Sequence, residues 1–357
     1  MHRNWNWLLA AVAVWTLCDR ILHANERLFV SLLEAKQIVQ FERNAETGEL
    51  HRTGQVTCPA EPAIMCTSPD RRWLLVSFRS TGQLASYSIQ NPQTPPVLIS
   101  VAAGGEDPAY LQVDATGRFL LSAYYVANKV CVHAIHEDGS LSPQPVQTVP
   151  TAARAHGIAI DSQNRRTYVS HTGANCIFQF EFNSDTGRLR LMSPDRFTAP
   201  DDFQFRHVAM HANDRWLYSN GEKGDNLNFF TVDQASGQLT LQQTVSTLPD
   251  DFPADDNSTA RCEMTSDGRF IYVANRGHDS IAGFAIDPNS GRLTSLGQFA
   301  TEQTPRSFTI DSQSRYLYAA GQDSGQLAIY RLQDDGRLVR TKILPVGKTP
   351  WAVLAVD

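Results

Sequence analysis

The chain lacks the basic excess that a nucleic-acid partner calls for. Its 31 Lys and Arg stand against 37 Asp and Glu, a net charge of −6, so no cationic footprint for a phosphate backbone is present. It also lacks a Cys-x-x-Cys pair or a Cys/His cluster, which excludes the common zinc frameworks. Past the leader described below, the cysteines are Cys58, Cys66, Cys131, Cys176 and Cys262. An odd number cannot pair completely within one chain. Four of them, Cys66, Cys131, Cys176 and Cys262, fall inside strand-like stretches and read as small buried hydrophobes. No glycine-rich phosphate cradle follows a strand, and no Ser/His/Asp nucleophile arrangement is found. Neither a metal nor a cofactor is expected.

Long apolar runs are missing as well. The longest, Leu8 to Leu17, is too short for a comfortable membrane span. Preceded by His2 and Arg3 and followed by Leu22-His23-Ala24, it reads as a secretory signal peptide over residues 1–24. The mature protein is then secreted or periplasmic, with no stable membrane span; an uncleaved anchor or a lipidated Cys18 are alternatives, and misreading the leader would leave the protein in the cytoplasm. Asn257-Ser258-Thr259 matches a glycosylation sequon, meaningful only in a eukaryotic secretory pathway.

What is abundant is repetition. Arg72-Trp73-Leu74-Leu75-Val76-Ser77, Arg118-Phe119-Leu120-Leu121-Ser122 and Arg165-Arg166-Thr167-Tyr168-Val169-Ser170 are copies of one phrase. Arg215-Trp216-Leu217-Tyr218-Ser219, Arg269-Phe270-Ile271-Tyr272-Val273 and Arg315-Tyr316-Leu317-Tyr318-Ala319 continue it, and Glu26-Arg27-Leu28-Phe29-Val30-Ser31 opens the series. The spacing of roughly 46 to 54 residues is that of a four-stranded propeller blade. An inner strand such as Pro305-Arg306-Ser307-Phe308-Thr309-Ile310 precedes each phrase, except the first. Its missing partner stands at the other end, Pro350-Trp351-Ala352-Val353-Leu354-Ala355-Val356. The expectation is one all-β domain over residues 25–357, a seven-bladed propeller whose C-terminal strand joins the N-terminal blade and removes two open sheet edges.

Equivalent positions can then be compared. At the start of the inner strands stand Ala109, His156, Arg206, Ala260 and Arg306; just past the second strands stand Arg79, Tyr125, Thr172, Glu222, Arg276 and Gln322. Antiparallel neighbours bring the two sets to the same end of the blade, around one mouth of a central channel. Arg154, His207 and Arg261 lie one or two positions away. Several guanidiniums around one carboxylate and one imidazole suit an anionic or carbonyl-rich small molecule. The arginines that recur in nearly every copy (Arg72, Arg118, Arg165, Arg215, Arg269, Arg315) read as architectural, and His211 as a turn residue.

At these residues the chain resembles the seven-bladed lactonase family, which includes propeller-type 6-phosphogluconolactonases and fungal 3-carboxymuconate lactonizing enzymes. The resemblance is carried by Ser266 to Ile281, with its Asn275-Arg276-Gly277-His278-Asp279 run, by Gln303 to Phe308, and by Ala155-His156 and Phe205-Arg206-His207. It implies catalytic roles for His156, Arg206, Glu222 and Arg276, with Arg79, Arg154, His207, Arg261 and Arg306 binding substrate. There are departures: Asn220-Gly221-Glu222 where the family has Asn-Glu, Glu263 in a neighbourhood where it often has histidine, and Thr172 where aspartate is frequent. The implied activity is hydrolysis of a sugar lactone to the aldonic acid, by a monomer, with Glu222 or His156 as base. A carboxymuconate-type cycloisomerase and a non-catalytic binding propeller are the alternatives.

Overall fold

A computed structural model describes residues 26–356; the expected signal peptide lies outside the described residues. Seven four-stranded antiparallel sheets follow one another along the chain. Blade I combines Pro350–Val356 with Arg27–Leu32, Gln37–Arg43 and Leu50–Thr57. Blades II to VII begin at Pro62–Thr67, Pro108–Val113, Ala155–Ile160, Phe205–Met210, Thr259–Met264 and Pro305–Ile310. Each of these first strands contacts the first strand of the next blade, and Pro350–Val356 touches both Pro305–Ile310 and Pro62–Thr67, so the inner ring is continuous. This is the seven-bladed propeller that the repeat predicts.

The seam is also where the sequence places it. Pro350–Val356 pairs antiparallel with Arg27–Leu32, Val353 facing Val30 and Leu354 facing Phe29. Both strands of the joint are largely buried, Leu28, Phe29 and Val30 completely, so closing the ring hides an apolar edge. A buried ion cluster adds to it: Arg43 of blade I contacts Asp311 of blade VII at 2.8 Å and Glu26 at 2.8 Å.

Neighbouring blades are keyed by a repeated bond. The tyrosine of the second strand donates to the carbonyl of a turn glycine in the next blade: Tyr168 to Gly237 (2.8 Å), Tyr218 to Gly291 (2.8 Å), Tyr272 to Gly336 (2.6 Å) and Tyr318 to Gly48 (3.0 Å). These aromatics fill the space between blades, as their recurrence implies, and the phenol hydroxyl satisfies a turn carbonyl as well. The five described cysteines are all free. His211 is a turn residue whose Nδ1 accepts from the Asn213 amide at 3.1 Å. The sequon is overturned as a glycan site: Asn257 is buried, and its amide donates to Asp225 at 2.7 Å and to Asn275 at 3.3 Å.

Candidate functional site

Every inner strand begins with a register irregularity, at Pro62/Met65, Pro108/Tyr110, Ala155/Ile158, Phe205/His207, Thr259/Cys262, Pro305/Ser307 and beside Pro350. A bulge of this kind re-aims a side chain that regular alternation would direct elsewhere. The residues on the bulges are Ala63, Ala109, His156, Arg206, Ala260, Arg306 and Trp351. A second device fixes the other set. The amide just past the second strand donates to the carbonyl just before the inner strand: Tyr125 to Asp107 (2.9 Å), Thr172 to Arg154 (3.1 Å), Glu222 to Gln204 (2.8 Å), Arg276 to Ser258 (3.0 Å) and Gln322 to Thr304 (2.9 Å). Asp107, Arg154, Gln204 and Thr304 hold φ between 56° and 63°, a left-handed conformation that costs a non-glycine residue about 1 kcal/mol or more. The fold carries this cost at one end of several blades, where the two sets meet.

Glu222 is the hub. Its Oε1 accepts from Arg276 Nη2 at 2.7 Å and lies 3.6 Å from Arg206 Nε. Burial alone would raise the Glu222 carboxyl, but Arg206 and Arg276 outweigh it and hold the group below the usual glutamate range. Arg276 is steadied by the carbonyls of Thr259 (3.0 Å) and Ser258 (3.3 Å). Arg206 is buried, and its Nη1 donates to His207 Nε2 at 3.0 Å. Burial pushes Arg206 down to about 9, against the pull of Glu222. His207 packs on Tyr110 and His156, with ring centroids 5.1 and 5.2 Å away. Burial, then the charge of Arg206, drives both histidines well below the usual imidazole value, so both are neutral. His156 meets Tyr125 edge-on at 5.9 Å, and its buried Nδ1 has no hydrogen-bond partner.

The remaining expected residues divide into rim and depth. Arg306 lies over the Trp351 ring at 3.6 Å, Arg79 over Trp351 and Tyr125 at 5.7 and 5.9 Å, and Arg154 over Tyr125 at 5.5 Å. Arg261 is tied to Glu263 at 2.7 Å, which in turn accepts from the Ile310 amide at 2.9 Å, and its charge reaches the cluster at His207. Glu222 is not the only carboxylate at the mouth. Asp107 chelates Arg79, with Nη2 to Oδ2 at 2.7 Å, so that arginine is already neutralised. Sequence comparison missed Asp107 and Trp351. Trp351 occupies the seventh copy of the bulge position, a signal available in the C-terminal strand. A cleft of about 890 Å³ between blades II and III adjoins the mouth, sharing Arg79 and Asp107 and extending to Lys129 and Thr148.

Residues 28–355 match the family described as "Lactonase, 7-bladed beta-propeller", and the chain belongs to that family. It is 30% identical over 333 residues to the 6-phosphogluconolactonase of Pectobacterium carotovorum, covering 92% of this chain and 99% of the relative. The 6-phosphogluconolactonase of Serratia proteamaculans is 29% identical over 330 residues, 91% of this chain and 97% of its own. A periplasmic gluconolactonase of Pseudomonas aeruginosa shares the fold with a TM-score of 0.85 at 23% identity, over 93% of this chain and 99% of that one.

Proposed function

We propose that this protein hydrolyses a sugar lactone at the mouth lined by His156, Arg206, Glu222 and Arg276. The observation that carries the reading is the single carboxylate shared by two guanidiniums, in a chain that aligns nearly end to end with named lactonases. Water attacks the lactone carbonyl, and the oxygen that becomes negative needs preorganised donors; Arg276 and Arg206 supply them. Glu222 takes the proton from water through Oε2, the oxygen that carries no hydrogen bond. Protonating Glu222 frees its two guanidiniums just as the oxyanion forms, so the charge of the cluster is conserved. Collapse then breaks the bond to the ring oxygen, which takes the proton held by Glu222, giving a hydroxyl and a carboxylic acid that releases its remaining proton to solvent as the aldonate forms.

His156 is the less suitable base in this setting, because taking a proton adds a cation where Glu222 would instead lose a negative charge. Its protonated form would sit among Arg206, Arg79 and Arg306, which already depress it. Neutral, with Nδ1 free, it orients substrate hydroxyls. Lactones open spontaneously, so the test is the enzyme-dependent rate above background with gluconolactone and its 6-phosphate. Glu222→Gln should lower kcat on the order of 10²-fold or more, while Arg269→Ala leaves it unchanged. Activity within a few-fold of wild type in Glu222→Gln would remove that residue from the mechanism.

A further inference from the structure

We propose that Arg306, laid flat on Trp351, determines specificity by holding an anionic group of the substrate that lies away from the lactone carbonyl. The inference rests on the lactone reading and goes beyond it, because it assigns one guanidinium to charge recognition and not to chemistry.

Among the described residues the site brings together four guanidiniums, Arg79, Arg206, Arg276 and Arg306, and two carboxylates, with Arg154 exposed at the rim over Tyr125. Arg79 is satisfied by Asp107, and Arg206 and Arg276 share Glu222. The Arg306 side chain makes no hydrogen bond or ion pair with any described residue and lies over the Trp351 ring, 3.6 Å from guanidinium carbon to ring centroid. A guanidinium stacked on an indole points its N–H fork outward in the ring plane, free for a bidentate carboxylate or phosphate. Burial, with Arg206, Arg276 and Arg79 adding to it, pushes Arg306 well below the usual guanidinium range, and Glu222 acts the other way. A ligand anion would relieve that stress, whereas a neutral lactone would leave the cation without a partner.

The two residues reach each other by the same device. Each sits on the bulge that opens an inner strand, Arg306 in blade VII and Trp351 on the closing strand of blade I. Specificity is thus built across the junction of blades VII and I. The other blades place alanine at this position three times, at Ala63, Ala109 and Ala260, so an arginine on tryptophan is not a requirement of the architecture.

Carboxylate and phosphate share this chemistry, and the experiment separates them. Gluconate, glucarate and 6-phosphogluconate are titrated calorimetrically against wild type and Arg306→Gln. Charge-assisted hydrogen bonds are worth about 1.5–3 kcal/mol, so wild type should bind one or both doubly charged acids at least about tenfold more tightly than gluconate. Preference for glucarate identifies a carboxylate, preference for 6-phosphogluconate a phosphate. Arg306→Gln should erase the preference and leave gluconate affinity within about threefold, and Arg306→Lys should restore part of it. No preference in wild type, or equal weakening of all three ligands in Arg306→Gln, overturns the assignment. Turnover of the neutral lactone as efficient as that of both the carboxylated and the phosphorylated lactone would sink the Arg306 inference alone. Absent turnover with the anion preference intact would sink the lactonase reading and leave Arg306 as an anion anchor.

Discussion

Burying a single charged residue costs stability, and Asp225 shows it beside the Glu222 cluster. It follows Glu222 by three positions, is buried, and accepts from Asn257 at one oxygen while the other has no partner. Burial lifts its carboxyl from 3.8 to about 6. The folded protein therefore binds this proton more tightly than the unfolded chain, and stability falls as pH rises through that window. Asp225→Asn keeps an acceptor for Asn257 and should match wild type below pH 4 but exceed it above pH 6, measured by urea midpoints across pH; parallel curves would contradict the assignment. Residues of this scale were unevenly legible. His156, Arg206, Arg276 and Arg306 stood out because the copies of the repeat disagree at those two positions, alanine, tyrosine, threonine and glutamine standing there in other blades. Asp107 did not, because its equivalents Arg154, Gln204 and Thr304 share a backbone conformation and no side-chain chemistry. Asn257 looked like a glycan acceptor only because burial is invisible in a three-residue pattern.

The elements divide the labour between two ends of the blade. At one end, bulges and left-handed turn residues aim side chains into the mouth. At the other, the recurrent arginines bind their own turns, Arg72 to Asp70 at 2.6 Å and Arg269 to Asp267 at 2.7 Å, and lie over the next aromatic at 5.1 and 5.0 Å. Recurrence marked them as architecture, and their exposure and local pairing agree. Strand order was readable from alternation and glycine punctuation; the bulges were not, because a bulge adds one residue without changing composition. The tyrosine keys are a recurring polar link between blades. Tyr218→Phe removes one buried bond and leaves the Gly291 carbonyl unpaired, which should cost about 1 kcal/mol in equilibrium unfolding, with activity unaltered. No loss of stability would mean the hydroxyl is incidental to blade docking.

For the whole molecule the seam decides whether the ring exists. Pro350–Val356 supplies the inner strand of blade I, the bulge that carries Trp351, and contacts with blades II and VII. Removing residues 350–357 should lower the melting temperature of the entire protein and expose the edge of Arg27–Leu32 to self-association. A truncated protein that melts like wild type and stays monodisperse would refute the closure. The same ring brings together side chains from blades that are distant in sequence, Glu222 of blade V with Arg276 of blade VI and His156 of blade IV with His207 of blade V. The cleft of about 890 Å³ between blades II and III is the competing place for the proposed lactone. The most direct measurement is a crystal structure with the product aldonate bound. The account predicts its carboxylate within hydrogen-bond distance of Arg276 and Arg206, beside Glu222 and His156. An aldonate seated instead beside Lys129 and Thr148, with the mouth unchanged, would contradict it.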